Sequence, residues 1–360
     1  MKITYIAETS LTNKSAYTHH VLKMCDAFCK KGDVKLIIPF VEKNLNFKAV
    51  KRKFLLKSKK NIFLKSILKK KISNFLFRIL FGYKTANYLK TINSDLIITR
   101  SLICSFFLCS LKIKHFLEIH TELKGFTKFL LINLNFINSK FITKVILISK
   151  SLSKKFPQLN KKKILILHDA IDLKDFKYKK KRNFIKNISY VGSFHKGKGI
   201  ELILKLANEF KKIQFNIYGD PMGKIYRKSK NIKIFGYIDY NKVPLVLSNS
   251  DILILPSADL QFGRAKNLNI SDYNSPLKMF DYLASGKVIL SSKRAGICEV
   301  LKHGYNSVIV KKYELKFWSI ALKEILLNKY DLYKLRKNSL KTAKEFTWDK
   351  RVERILDVNT

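Results

Sequence analysis

The segment Ser275-Pro-Leu-Lys-Met-Phe-Asp-Tyr-Leu-Ala-Ser-Gly286 gathers residue types that could do chemistry on one short helix. Ser275 is a good N-cap, Pro276 suits the first helical position, and Gly286 suits the residue that closes a helix. The predicted apolar stripe is Leu277, Phe280, Leu283 and Ala284. Asp281 stands beside that stripe in mid-helix, where an acid is a poor helix former, with Ser275 and Lys278 as nearby donors. A carboxylate at such an edge can accept two hydrogen bonds from a ribose diol, a neutral ligand that leaves no unpaired charge. Metal chemistry has weaker support. No Asp-x-Asp occurs in the chain, so no metal–diphosphate clamp is expected. Cys25 and Cys29 could share a helix face, but nothing follows them at zinc-ligand spacing, and they read as buried small apolar residues.

Elements must hold these residues in place. A strand (Lys2–Ala7), a polar loop (Glu8–Ser15), a helix (about 16–30, closed by Gly32) and a second strand (Val34–Pro39) give a β-α-β opening, hence a parallel sheet. Residues 43–94 hold no acid, while Lys and Arg are dense and aromatics recur; a helix is expected over about 60–90. Short apolar strands follow at Leu96–Thr99, His115–Ile119, Lys144–Ile148 and Ile164–Leu167. Residues 173–187 are Lys-rich and aperiodic, which marks a linker. The rhythm restarts with a strand at Ser189–Val191, a glycine turn and a helix striped by Ile200, Ile203, Leu204, Ala207 and Phe210. Further strands are expected at Phe215–Tyr218, Ile232–Phe235, Ile252–Leu255, Val288–Ser291 and Ser307–Val310. The domains are therefore 1–172, rejoined by 345–360, and 188–344. Two successive α/β units suggest two facing doubly wound sheets, whose ligands sit at the carboxyl ends of the strands.

Composition sets limits on this reading. A chain of 360 residues with 47% hydrophobic residues is globular and long enough for two domains. Its net charge of +46 points to a polyanionic partner, either nucleic acid or an anionic membrane face. The accompanying wealth of Asn, Ile and Phe is also what AT-rich coding produces. Five cysteines in a large chain suggest a reducing compartment. The first residues read as a buried strand and not as a signal peptide, and no run reaches the ~18 uncharged apolar residues of a membrane span.

The helix opening Ser-Pro-Leu-Lys, with Phe-Asp-Tyr-Leu-Ala inside and Gly286 at its end, resembles the retaining enzymes of glycosyltransferase family 4. These have the two-Rossmann-domain (GT-B) fold. The resemblance implies an α/β chain of two Rossmann-like domains facing a cleft. Phe346-Thr-Trp-Asp-Lys-Arg351 resembles the final helix that crosses back to the first domain. It implies that Asp281 binds the nucleotide ribose, with Ser275, Pro276, Leu277 and Lys278 around the donor. Tyr-Val-Gly-Ser-Phe-His-Lys-Gly-Lys-Gly-Ile resembles the family's strand and basic glycine turn. Lys198 matches the lysine on the donor diphosphate, Gly192 the turn, and Lys196 stands in for an Arg where this chain has Ser193. Such a turn suits phosphate because glycines allow close backbone approach and a helix N-terminus favours anions. Ile217-Tyr-Gly-Asp-Pro places Gly219 near the donor, and Gly296–Val300 places Glu299 toward the diphosphate. His120, ending Glu118-Ile-His120, resembles the histidine that reaches the donor sugar. Leu165-Ile-Leu-His-Asp-Ala-Ile-Asp resembles the interdomain signature, with Ala170 for Gly. Eight residues before Asp281 the family places a second acid; here Tyr273 occupies that position and the neighbouring Asp272 is the substitute.

What this implies is a retaining hexosyl transfer from a nucleotide-sugar, UDP- or GDP-linked, to a glycan or a polyprenyl- or other lipid-linked acceptor in cell-surface polysaccharide synthesis. No metal and no separate cofactor are expected. Lys196, Lys198 and helix N-termini would stabilise the departing diphosphate, and attack would come from the front face. The expected setting is cytoplasmic, peripheral on the inner face of the cytoplasmic membrane, with residues 43–94 (Lys69, Lys70 and Lys71 among them) against anionic lipid. The alternatives are a nucleotide-sugar epimerase of the same fold, a basic nucleic-acid-binding protein, and a non-catalytic carbohydrate-binding subunit motivated by Ser193, Ala170 and Tyr273. The dispersed charge and the lack of a zinc finger or RNP motif speak against nucleic acid.

Overall fold

Parallel β-α alternation runs through the whole computed structural model, which describes residues 1–69, 74–176, 185–223, 229–262 and 268–359. Lys70, Lys71 and most of the expected linker lie outside the described residues. The chain divides into two units. Unit 1 comprises 1–148, 152–168 and 348–359; unit 2 comprises 149–151 and 169–347.

Unit 1 holds strands β1 (Lys2–Ile6), β2 (Asp33–Ile38), β3 (Phe63–Ser66), β4 (Leu96–Thr99), β5 (His115–Ile119), β6 (Ile142–Leu147) and β7 (Ile164–Ile166), in the spatial order β3-β2-β1-β4-β5-β6-β7. Unit 2 holds β8 (Asn187–Val191), β9 (Gln214–Tyr218), β10 (Ile232–Ile234), β11 (Ile252–Leu255), β12 (Val288–Ser292) and β13 (Val308–Val310), in the order β10-β9-β8-β11-β12-β13. Every pairing between these strands is parallel. Each order reverses after its third strand, so each unit has the topology of a Rossmann-like domain, with a switch point between β1 and β4 or between β8 and β11.

The helices are α1 (Ala16–Phe28), α2 (Phe47–Phe54), α3 (Phe75–Leu89), α4 (Leu102–Ser110), α5 (Gly125–Lys128), α6 (Lys150–Ser153), α7 (Ile200–Glu209), α8 (Val243–Ser248), α9 (Leu277–Ser285), α10 (Ala295–Cys298), α11 (Leu315–Leu326), α12 (Leu332–Ala343) and α13 (Trp348–Leu356). Central strands are apolar on both faces because helices cover both. In β11 the period of two sends Ile252 and Ile254 into the core with Trp318 and Leu322 of α11. Leu253 and Leu255 enter the opposite core with Phe280 and Leu283 of α9. The last helix, α13, belongs to unit 1: Lys30, just past the end of α1, pairs with Asp349 at 2.5 Å, and Trp348 is buried beside His19 and His20.

Four local expectations are corrected. The predicted helix over 60–90 is instead edge strand β3 followed by α3. Phe63 and Lys65 point to solvent in alternation with their neighbours while the backbone pairs with β2. Gly32 does not close α1 with a left-handed turn, since α1 ends at Phe28 and Cys29 caps it in right-handed geometry. Gly32 is required by proximity, because a Cβ there would lie 2.1 Å from the Met1 carbonyl oxygen. Finally, α9 starts one residue late: Pro276 is extended (ψ 130°) and caps the helix, so neither Ser275 as cap nor Pro276 as first helical residue holds. Gly286 does close it, at φ +62°. All five cysteines are free thiols, and no helix among the described residues is long and apolar enough to cross a membrane.

Candidate functional site

At the switch point of unit 2, glycines allow side chains and strand ends to crowd together. Gly192 follows β8 and Gly219 follows β9; a Cβ on Gly219 would sit 1.9 Å from the Gly192 carbonyl oxygen. A Cβ on Gly192 would sit 2.1 Å from Nζ of Lys278, so any side chain there would displace the ammonium. That ammonium lies over the Tyr190 ring, 3.9 Å from its centroid, and the Tyr190 hydroxyl donates to the Ser193 carbonyl at 2.8 Å. Gly199, at φ +80°, starts α7 with no side-chain cap. Its neighbour Lys198 turns back, donating its amide to the His195 carbonyl at 3.0 Å. The α9 helix is tied to the same place by the Val191 amide, which donates to the Tyr282 hydroxyl at 2.9 Å.

The electrostatics of this cluster are out of balance. Burial pushes the Lys198 ammonium down to about 8. Burial, and then the Lys198 charge, push Lys278 well below the usual lysine range, with Asp281 opposing. Among the described residues neither ammonium has a carboxylate within ion-pair distance. Two partly desolvated cations within each other's field raise each other's free energy, and an anion bearing two or more charges relieves both. Asp281, buried, accepts from the Tyr240 hydroxyl at 3.0 Å. The arrangement offers cations for a diphosphate and, one helical turn on, a carboxylate for a diol.

The other expected residues are distributed unevenly. Lys196 and Ser193 are exposed on the turn. Ser275 is buried and Leu277 half-buried at the start of α9. Tyr273 is fully buried, its carbonyl accepting from the Ser149 hydroxyl at 2.9 Å, whereas Asp272 is exposed. The loop is pinned there because the Gly296 amide donates to the Asp272 carbonyl at 2.7 Å. The Glu299 carboxylate is engaged by the amides of Lys150 and Ser151 at 2.7 and 2.8 Å and by the Ser151 hydroxyl at 2.6 Å.

His120 lies in unit 1, at the end of β5, inside a network that sequence reasoning missed. Glu118, wholly buried, takes the Tyr5 hydroxyl at 2.7 Å, His20 Nε2 at 2.8 Å, Arg351 at 2.8 Å and His120 Nε2 at 2.6 Å. Burial alone would raise its carboxyl. His20, Arg351 and the His120 hydrogen bond more than reverse this and hold it well below the usual range. Burial, and then the Arg100 charge, lower the His120 imidazole to about 3 against the pull of Glu118. His120 is thus neutral near pH 7. Because an ionised carboxylate only accepts, Nε2 carries the proton, and Nδ1 is the acceptor. The signals available in sequence were a carboxylate inside the apolar run His-Phe-Leu-Glu-Ile and an arginine in the last helix. Tyr190 and Tyr240 carried none.

Residues 172–346 match the family model for glycosyl transferases group 1, which supports a group 1 glycosyltransferase. An uncharacterized glycosyltransferase of Methanocaldococcus jannaschii is 21% identical over 216 residues, 58% of this chain and 56% of that protein. An uncharacterized 41.2 kDa protein in the cps region of Klebsiella pneumoniae is 26% identical over 152 residues, 40% of this chain and 42% of that protein. The chain thus spans about half the length of the curated relatives it matches. Among solved structures, a glycosyltransferase from Rickettsia africae superposes with a TM-score of 0.75 at 14% identity, covering 99% of this chain and 98% of the other. The Anabaena protein HepE in complex with UDP-glucose gives 0.72 at 13%, over 99% and 98%. A lipopolysaccharide outer core galactosyltransferase gives 0.71 at 15%, over 99% of each chain. These likenesses establish the fold, two Rossmann-like domains of the GT-B kind. They lend no support to the epimerase or nucleic-acid readings.

Proposed function

We propose that this chain is a retaining, metal-independent glycosyltransferase. It moves a hexosyl group from a UDP- or GDP-sugar to a glycan or lipid-linked acceptor in cell-surface polysaccharide synthesis. The observation that carries the reading is the Lys198–Lys278 pair beside Asp281 at the switch point of unit 2. Neighbours titled with UDP-glucose and with lipopolysaccharide synthesis support the donor and the product class, as does a relative from a cps region.

In this reading the donor diphosphate takes the two ammonium groups, and Asp281 accepts from the ribose hydroxyls in place of Tyr240. As the glycosidic C–O bond breaks, negative charge grows on the leaving phosphate. The lysines, fixed and partly desolvated before the reaction, stabilise that charge without reorganising. The absence of any Asp-x-Asp in the sequence and the lysine pair together motivate a reaction that needs no metal. Front-face attack with retention rests on the family resemblance, as does the assignment of His120 to the donor sugar.

Tyr273, buried where the family places an acid, favours a second reading, a subunit that binds nucleotide-sugar without turnover. Screening nucleotide-sugars by thermal shift identifies the donor, since ligand at about 100 times its Kd adds about 2.7 kcal/mol of stability. Release of free nucleotide then separates the two readings. If no nucleotide or nucleotide-sugar shifts the transition, both are wrong.

A further inference from the structure

We infer that Tyr190 is a positioning residue of the donor site: its ring face holds the Lys278 ammonium over the glycine turn, while its hydroxyl fixes the turn itself. This rests on the proposed transfer reading and deepens it. Tyr190 lies near the end of β8 and is buried in the core of unit 2. Core packing asks of such a position only an apolar side chain of suitable size, and Ile188, two residues back on the same strand face, meets that demand. Tyr190 does two things more. The Lys278 ammonium, from the first turn of α9, sits 3.9 Å from its ring centroid, well inside the ~6 Å over which a cation feels the negative face of a ring. Its hydroxyl donates to the Ser193 carbonyl at 2.8 Å and so spans the turn at Gly192. Burial, and then Tyr282 and Tyr313, hold this phenol well above its usual range, so it stays neutral and keeps its proton to donate. The two contacts converge on one glycine. A Cβ on Gly192 would meet the Lys278 Nζ at 2.1 Å and the Tyr190 hydroxyl oxygen at 3.2 Å.

The choice of a ring in place of an acid has a chemical consequence. A carboxylate beneath Lys278 would form a buried ion pair, and an arriving diphosphate would have to break that pair and leave the carboxylate stranded. A ring face has no charge to strand. It keeps the ammonium in one place in a partly desolvated setting. It then yields the ammonium to a phosphate oxygen, whose full charge attracts it more strongly. The hydroxyl meanwhile holds the carbonyl of the turn, so that one side chain aligns a cation of α9 with the backbone that follows β8. Both are in place before the nucleotide arrives.

The test is a double-mutant cycle on the affinity of the full chain for UDP and GDP, read by calorimetry. Tyr190→Phe keeps the ring face, and water can replace the lost hydroxyl at the exposed Ser193; its affinity is expected to fall by no more than about threefold. Tyr190→Leu keeps an apolar core but removes the face, and a loss of about tenfold is expected. Tyr190→Met takes its place if the melting curve shows that the leucine variant does not fold. In a Lys278→Met background, where there is no ammonium to hold, the same change is expected to cost less than about twofold. A role in packing alone lowers affinity equally in both backgrounds, so equal losses overturn the inference. A loss in Tyr190→Phe as large as in Tyr190→Leu overturns it too. Nucleotide binding by the wild type that no Tyr190 variant changes overturns this inference and leaves the transfer reading standing. A wild type that binds neither nucleotide refutes the transfer reading, and the inference with it.

Discussion

Replacing Lys198 with Met is expected to stabilise unit 2 while crippling nucleotide binding. Methionine keeps nearly the length of the side chain but removes a charge that the protein holds at a cost. In the unfolded chain this ammonium titrates near 10.5, and in the folded one near 8. At about 1.4 kcal/mol per pH unit the difference is about 3 kcal/mol; partial exposure and screening reduce it to about 2 kcal/mol. The sign follows from proton counts. Between about 8 and 10.5 the unfolded chain binds more protons than the folded one, so wild-type stability rises with pH across that window. Below about 8 both states are charged and the full penalty is present. The advantage of Lys198→Met is therefore greatest at pH 7 and fades as pH approaches 10.5. Amide exchange in β8, β11 and β12 reads unit 2 separately from unit 1, and calorimetry with UDP and GDP reads binding. A variant less stable than wild type at pH 7, or a gain that persists undiminished at pH 10.5, would show that Lys198 is held by packing and not strained by desolvation. Unchanged nucleotide affinity would remove it from the site.

Asp281→Asn is expected to keep the fold and weaken nucleotide binding by about 1.5–3 kcal/mol for each hydrogen bond it weakens; Tyr240→Phe, by contrast, should leave affinity intact or improved, as calorimetry of both will show. Transfer should continue in EDTA, and activity lost in chelator but restored by Mn²⁺ or Mg²⁺ would reveal a metal clamp. Arg351→Met leaves Glu118 buried without one of the cations that hold it ionised and should cost unit 1 about 3–5 kcal/mol, seen as early exchange in β5. Between pH 6.5 and about 3 His120 is charged only in the unfolded chain, so unit 1 should lose stability on acidification through that range, and His120→Asn should flatten the profile.

Much of the fold was legible because parallel strands buried on both faces are written as short apolar runs. Leu96–Thr99, His115–Ile119 and Ile252–Leu255 coincide with β4, β5 and β11. Misreadings arose where the deciding contact is remote in sequence. Residues 63–66 carry too little pattern to announce a strand, and they become one only because β2 offers a free edge. Gly32 looks like a cap in isolation, and only the strand that brings Met1 alongside shows what it is for. In the site, the glycine turn and the α9 motif could be read from order along the chain. Tyr240, Tyr190 and the contact of Lys278 with Gly192 could not, since they join residues 41 to 88 positions apart.

The two groups of buried charge differ in a way that separates scaffold from site. In unit 1, Glu118 is satisfied by four partners. Arg351 divides its donors between that carboxylate and the carbonyls of Leu167 and His168. This network sets its charges against one another within the chain, and its consequence is to fix β5 and α13 and to set the tautomer of His120. In unit 2, the Lys198 charge bears on Lys278 with Asp281 in opposition, and a tyrosine face lies against the Lys278 ammonium. Nothing in folding rewards that arrangement, so residues of neutral or apolar type would serve the fold better at both positions. In the proposed reading the missing negative charge comes from a bound ligand. A ligand with two adjacent phosphates supplies it with one group for each ammonium.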